Sequence, residues 1–139
     1  MDKLMELASR VEASEGADRE LDAEVFLAAY PKIDIGWGRP LLLKKVWPTI
    51  NGGRPVFWYE TKSGCSGGID DRPYTASLDA VRTLIDPADE WELTTLYNIA
   101  RAVVGLNRDH QTQWPGHGEH AGANPVLALL ASALRARAS

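Results

Sequence analysis

Trp91-Glu92-Leu93-Thr94-Thr95-Leu96-Tyr97-Asn98-Ile99-Ala100-Arg101-Ala102-Val103-Val104-Gly105-Leu106 is the stretch on which the fold turns. Leu96, Ile99, Ala100 and Val103 fall at the spacing of one helix face. Asp86-Pro87 ahead of them reads as a helix start, with proline at the first helical position. The same residues also alternate. Trp91, Leu93, Thr95 and Tyr97 do so in one half, and Ala100, Ala102, Val104 and Leu106 in the other. Period two belongs to a half-buried strand. On that reading Tyr97-Asn98-Ile99 turns a hairpin, since asparagine tolerates positive φ better than most residues. Local pattern leaves the two readings level.

The segments on either side are easier to read. Downstream, Asn124 caps a helix and Pro125 takes its first position. Val126, Leu127, Leu130, Ala131 and Leu134 line one face, and Arg135 and Arg137 sit where a helix C-terminus favours positive charge. Its alanines permit close packing on a sheet or another helix. Upstream, Leu78, Val81, Leu84 and Ile85 form the apolar face of a helix that Thr75 or Ser77 caps and Asp86-Pro87 closes. At the start of the chain, Leu4, Leu7, Ala8 and Val11 predict an amphipathic helix over 3–13. A second runs from about Arg19 to Ala29, with Asp18 as cap and Pro31 as its stop. So short a link predicts that these two helices pair.

Residues 31–72 are punctuated by glycine and proline. Leu41–Trp47 and Val56–Thr61 are candidate strands, the second rich in aromatic and β-branched residues. Ser63-Gly64-Cys65-Ser66-Gly67-Gly68 reads as a flexible connection. Residues 107–123 read as a polar loop carrying all three histidines.

The chain has 139 residues and a formal net charge of −4, which suits one domain spanning 1–139. That charge gives no global pull toward nucleic acid or anionic lipid. No uninterrupted apolar run is long enough for a membrane span. The first ten residues lack the apolar core of a secretion signal. The single cysteine, Cys65, fits a reducing compartment, so a cytoplasmic protein is expected.

Three stretches together resemble the phage ABA sandwich domain family of small phage and prophage proteins. They are Asp18-Arg19-Glu20-Leu21-Asp22-Ala23-Glu24, Pro73-Tyr74-Thr75-Ala76-Ser77-Leu78-Asp79-Ala80, and Asn124-Pro125-Val126-Leu127-Ala128-Leu129-Leu130-Ala131-Ser132-Ala133-Leu134-Arg135-Ala136. Trp91 also fits. The resemblance covers the helical half of the chain. It implies an α/β (α+β) fold, a three-layer α/β/α sandwich with a small, mainly antiparallel sheet. It also implies strands over 91–106, which breaks the tie. It carries over no catalytic residue and no cofactor.

Function has to be argued from sites. His110, His117 and His120, near Asp109 and Glu119, could ligate zinc or manganese. Their spacing is not that of two ligands on one helix face, and a glycine-flanked loop is costly to order around an ion. A solvated loop explains them as well. Cys65 lacks a nearby base in sequence and reads as an ordinary thiol. The acidic start of the second helix is accounted for by the helix dipole. Trp37, Arg39, Trp47 and Trp58, with Lys44, Lys45, Arg54 and Tyr59, interleave aromatic and basic side chains. Such residues anchor protein interfaces, or stack bases along a phosphate backbone. The plainer reading is favoured for at least two of these three tryptophans: they are core, and the cations cover its rim. The expected function is a non-catalytic phage- or prophage-derived accessory protein binding a host or phage protein through residues 37–59. The alternatives are a metal-dependent hydrolase using His110, His117 and His120, and single-stranded nucleic-acid binding through the same 37–59 segment. The overall acidity disfavours the last.

Overall fold

A computed structural model describes residues 2–34, 38–109 and 115–138. In chain order the elements are α1 (Lys3–Ala13), α2 (Arg19–Ala29), β1 (Lys32–Ile33), β2 (Leu41–Asn51), β3 (Arg54–Thr61), β4 (Ser66–Asp70), α3 (Leu78–Arg82), β5 (Trp91–Leu96), β6 (Ile99–Val104), β7 (Gly116–His120) and α4 (Pro125–Ala138). The class is α+β, and every strand pairing is antiparallel. The strands form two sheets, ordered β1-β2-β3-β4 and β5-β6-β7. The chain divides into two compact units, residues 1–18 with 73–139, and residues 19–72.

The first unit is built around α4. Asn124 Oδ1 accepts from the N–H groups of Val126 and Leu127 at 3.0 and 3.3 Å, so the expected cap is in place. Leu127, Leu129, Leu130 and Leu134 are all fully buried. Each contributes roughly 1.5–3 kcal/mol by leaving water. A helix buried all round needs neighbours all round. Here α1, α3 and the sheet supply them. From α1 come Leu7, Ala8 and Val11, three of the four residues of the predicted stripe, each without solvent exposure, while the fourth, Leu4, is half-buried. Asp2 caps that helix through Leu4 N–H at 2.8 Å. For α3, Ser77 is the cap, accepting from Ala80 N–H at 3.2 Å. Thr75 instead accepts from Asp18 N–H at 2.8 Å.

Residues 91–104 form the hairpin. Its register runs from Trp91 opposite Val104 to Leu96 opposite Ile99. Ala100, Ala102 and Val104 are buried while Arg101 is exposed, so the alternation was the true signal. The positive φ falls on Tyr97, at 56°, and not on Asn98.

Residues 116–120, read as loop in the sequence, are strand β7 against β6. Gly116 and Gly118 make it possible. A methyl group on Gly118 would sit 2.6 Å from Ser132 N and closer still to Ala128 O. One on Gly116 would overlap Ser132 O and come 2.8 Å from Ala136 Cβ. Ala128, Ser132 and Ala136 therefore present a row of small side chains onto which the bare β7 backbone is pressed. Ser132 Oγ donates to Gly116 O at 2.7 Å and secures the contact.

In the second unit α2 lies on the sheet, with the Phe26 and Phe57 rings 5.8 Å apart. Each N-terminal helix finds a packing partner inside its own unit, α1 on α4 and α2 on β2. Leu43 and Val46 are both buried although an odd spacing separates them. A register shift between Leu43 and Lys45 reconciles this. The extra residue of a bulge restores the face and turns Lys44 and Lys45 outward together. Gly52 and Gly53, with φ of 59° and 80°, join β2 to β3 in a turn that requires positive φ at both positions. Gly67 and Gly68 belong to β4, not to a flexible loop. Gly67 leaves room for the Tyr59 ring and Gly68 for the Trp58 ring.

Candidate functional site

The face of the four-stranded sheet turned away from α2 carries the tryptophans. Phe57, Tyr59 and Val46 point toward the helix and are buried. Trp47 and Trp58, directly opposite one another across β2 and β3, lie on the other face. Both are half-buried and neither is among the buried core residues, so the expectation that at least two of the three tryptophans are core does not hold. The Trp58 ring lies along the β4 backbone at Gly68, where a methyl group would meet it at 3.4 Å. Lys45 Nζ stands 4.9 Å from the centroid of the Trp47 ring, within cation–π range. Lys44 reaches Glu60 at 4.0 Å. The bulge places both lysines here, and it has no signature in the sequence. Arg39 is exposed just before β2, while Trp37 lies outside the described residues.

Arg19 ties α2 to this sheet. Its Nη2 donates to Thr49 O at 3.2 Å and to Val56 O at 3.3 Å, and lies 3.5 Å from Asp71 Oδ1. The sheet beneath the tryptophans is therefore braced on its helical side.

The histidine hypothesis fares differently. His117 and His120 are on β7, three residues apart, and so project from opposite faces. His117 is exposed; His120 is 6% exposed. His120 Nδ1 accepts from Gly122 N–H and Asn124 N–H, both at 3.2 Å. Nε2 then carries the proton, and it meets Ser14 O at 2.7 Å. Both ring nitrogens are engaged in holding the turn before α4 to the end of α1. His110 lies outside the described residues. The pair that is described cannot share one ion, and no metal-ligating cluster of His, Cys, Asp and Glu exists among the described residues. Cys65 is a turn residue, its Sγ 4.0 Å from Ser63 Oγ and its N–H bonded to Thr61 Oγ1 at 2.9 Å.

A second polar group escaped the sequence reading. Arg135 looked like a dipole-complementing residue; it is a clamp. Its Nη1 and Nη2 bond the two Glu12 oxygens at 2.8 and 2.5 Å, and Nη1 also donates to His117 O at 2.8 Å. Glu12 Oε2 accepts from Glu119 N–H at 2.8 Å. The outer edge of β7 is thereby closed by side chains, one of the ways proteins protect an edge strand. The partners stand 123 residues apart in sequence, and nothing local announces them.

Burial raises the Glu12 pKa, but the Arg135 hydrogen bond, the Glu119 N–H and the Arg135 charge together hold it below the ordinary glutamate range. A depressed folded-state pKa gives stability that is fully present above the unfolded value, about 4.3, and is lost as pH falls through the folded value. Glu12→Gln should cost on the order of 1 kcal/mol at neutral pH. In strong acid the gap from wild type should close. Urea unfolding at both conditions checks this, and a gap that does not change with pH refutes the assignment.

Comparison with protein-family models, with curated proteins and with solved structures finds no match to this chain. No helix among the described residues is long and apolar enough to cross a membrane.

Proposed function

We propose that this protein is a non-catalytic binding domain, a phage- or prophage-derived accessory protein of the cytoplasm, that docks a host or phage protein on the Trp47–Trp58 face. The observation that carries the reading is the cross-strand tryptophan pair on the face opposite α2. Core-facing residues of the same strands are Val46, Phe57 and Tyr59, so the tryptophans are not needed to fill the helix–sheet contact. Large rings already held against the sheet lose little freedom on binding, and Trp, Tyr and Arg dominate interface energies. Arg39 and the two lysines lie nearby on the same element or just before it. One ring face of Trp47 is met by Lys45, which favours a protein partner over a stacked base. The phage origin rests on the three resembling stretches, and the genes surrounding the coding sequence test it directly.

The binding test compares wild type with Trp47→Ala/Trp58→Ala as bait in lysates of infected and uninfected cells. A specific partner should be retained by wild type and lose roughly thirtyfold in affinity for the variant. Thermal melting verifies that the variant is folded. Equal capture by both proteins overturns the surface assignment. Salt-dependent retention on single-stranded DNA, abolished by the same substitutions, would replace the protein partner with nucleic acid.

A further inference from the structure

The two edges of the β5-β6-β7 sheet are unlike. β7 is closed by Glu12 and Arg135. β5, six residues long, has no strand beyond it among the described residues. Its register with β6 runs without a shift, so no bulge twists it away. It contains no lysine, arginine or proline, and Glu92 is its only charge. Natural edges are ordinarily blunted by such devices. The direction of the backbone groups follows from the hairpin. Gly105 N–H donates to Glu90 O at 2.7 Å, and the two-residue turn closes on Leu96 and Ile99. Glu90, Glu92, Thr94 and Leu96 therefore turn their backbone groups toward β6. Trp91, Leu93 and Thr95 turn theirs to the open edge.

We propose that β5 is a self-association edge: two copies of this chain pair their β5 strands antiparallel about a two-fold axis, with Thr94 opposite Thr94. Keeping the helix-covered faces of both sheets on one side requires residues of equal parity to oppose each other. The Thr94-centred register then sets Leu93 against Thr95, Glu92 against Leu96, and Trp91 against Tyr97. No like charges meet. Trp91, 39% exposed, meets Tyr97, 92% exposed, at each end of the seam, while Leu96, 61% exposed, lies on the opposite face against the stem of Glu92. Tyr97 also holds an uncommon positive φ of 56° that keeps it at the tip of the hairpin. Threonine pairs and aromatic pairs are favourable cross-strand neighbours. A second copy fits this edge because in the two-fold register no like charges oppose each other and Trp91 of each copy meets Tyr97 of the other. A seam this short falls below about 1,000 Å² of buried surface, so the dimer is weak and depends on concentration.

Sedimentation equilibrium over a concentration series reaching the millimolar range should show a monomer–dimer equilibrium. Thr94→Lys places two ammonium groups face to face and should weaken it roughly tenfold or more at low salt, less at high salt. Thr95→Pro removes an edge-facing N–H without breaking the hairpin ladder and should also favour the monomer. Thr94 is exposed, so the lysine variant keeps the test open should the proline variant misfold. In a Cys65→Ser background, Thr94→Cys should form a disulfide-linked dimer, because non-hydrogen-bonded antiparallel pairs lie about 4.5 Å apart at Cα, within disulfide reach. Glu92→Cys should not. A monomer at every concentration, a dimer indifferent to Thr94→Lys, or equal cross-linking at both positions overturns the proposal.

Discussion

Gly118→Ala is expected to remove about 3 kcal/mol or more of stability. The added methyl group meets Ser132 N at 2.6 Å, Ser132 Cβ at 3.1 Å and Ala128 O closer than either. Two of those atoms are helix backbone, which cannot rotate aside as a side-chain tip does. Either α4 lifts from β7 or the strand leaves its register with β6. Both moves open the core around Leu127, Leu130 and Leu134, which the same helix holds fully buried. Against a total of about 5–15 kcal/mol, such a loss takes away a large share of the margin. Gly16→Ala is the control, since nothing lies within 4 Å of the added methyl. It should melt at or slightly above wild type. Urea unfolding of both variants tests the claim; Gly118→Ala lying within about 0.5 kcal/mol of wild type would show that β7 does not touch the helix backbone.

Leu130→Asp should prevent folding. Leu130 has no solvent exposure. Truncating such a leucine costs about 2–5 kcal/mol by itself. The aspartate adds a carboxylate with no partner in an apolar site, a further several kcal/mol unless it takes up a proton. The sum is comparable with the whole stability of a small domain. Leu130→Met, close in volume, should cost less than about 1.5 kcal/mol and remain folded. Soluble yield and circular dichroism distinguish the outcomes. An aspartate variant that is folded and melts like wild type would take α4 out of the core.

The caps and apolar stripes were legible because their chemistry is local. Of the caps read in the sequence, Ser77 and Asn124 act within three residues of themselves; Asp2 does the same but was not read as a cap. The hairpin at 91–104 was legible only as one of two patterns, since alanine, valine and threonine suit either period. β7 was hidden for a different reason. Its inward residues include Gly116 and Gly118, which carry no hydrophobic signal, so alternation in Gly-His-Gly-Glu-His looks like loop. The tryptophan cluster was visible as composition. That Trp47 and Trp58 face away from α2 was not, because facing depends on register.

Helix positions, the caps at Ser77 and Asn124 and the aromatic strand β3 follow from interactions between near neighbours, which residue order dictates. The division of the strands into two sheets, the opposed directions of His117 and His120, the bulge at Lys44 and the clamp of Arg135 on Glu12 needed the folded chain. Each depends on which distant segment lies alongside: in the first unit that is chosen by burial of α4 and by the unfilled backbone space at Gly116 and Gly118, in the second by the packing of α2 and β3 on β2, and none of these is a local property.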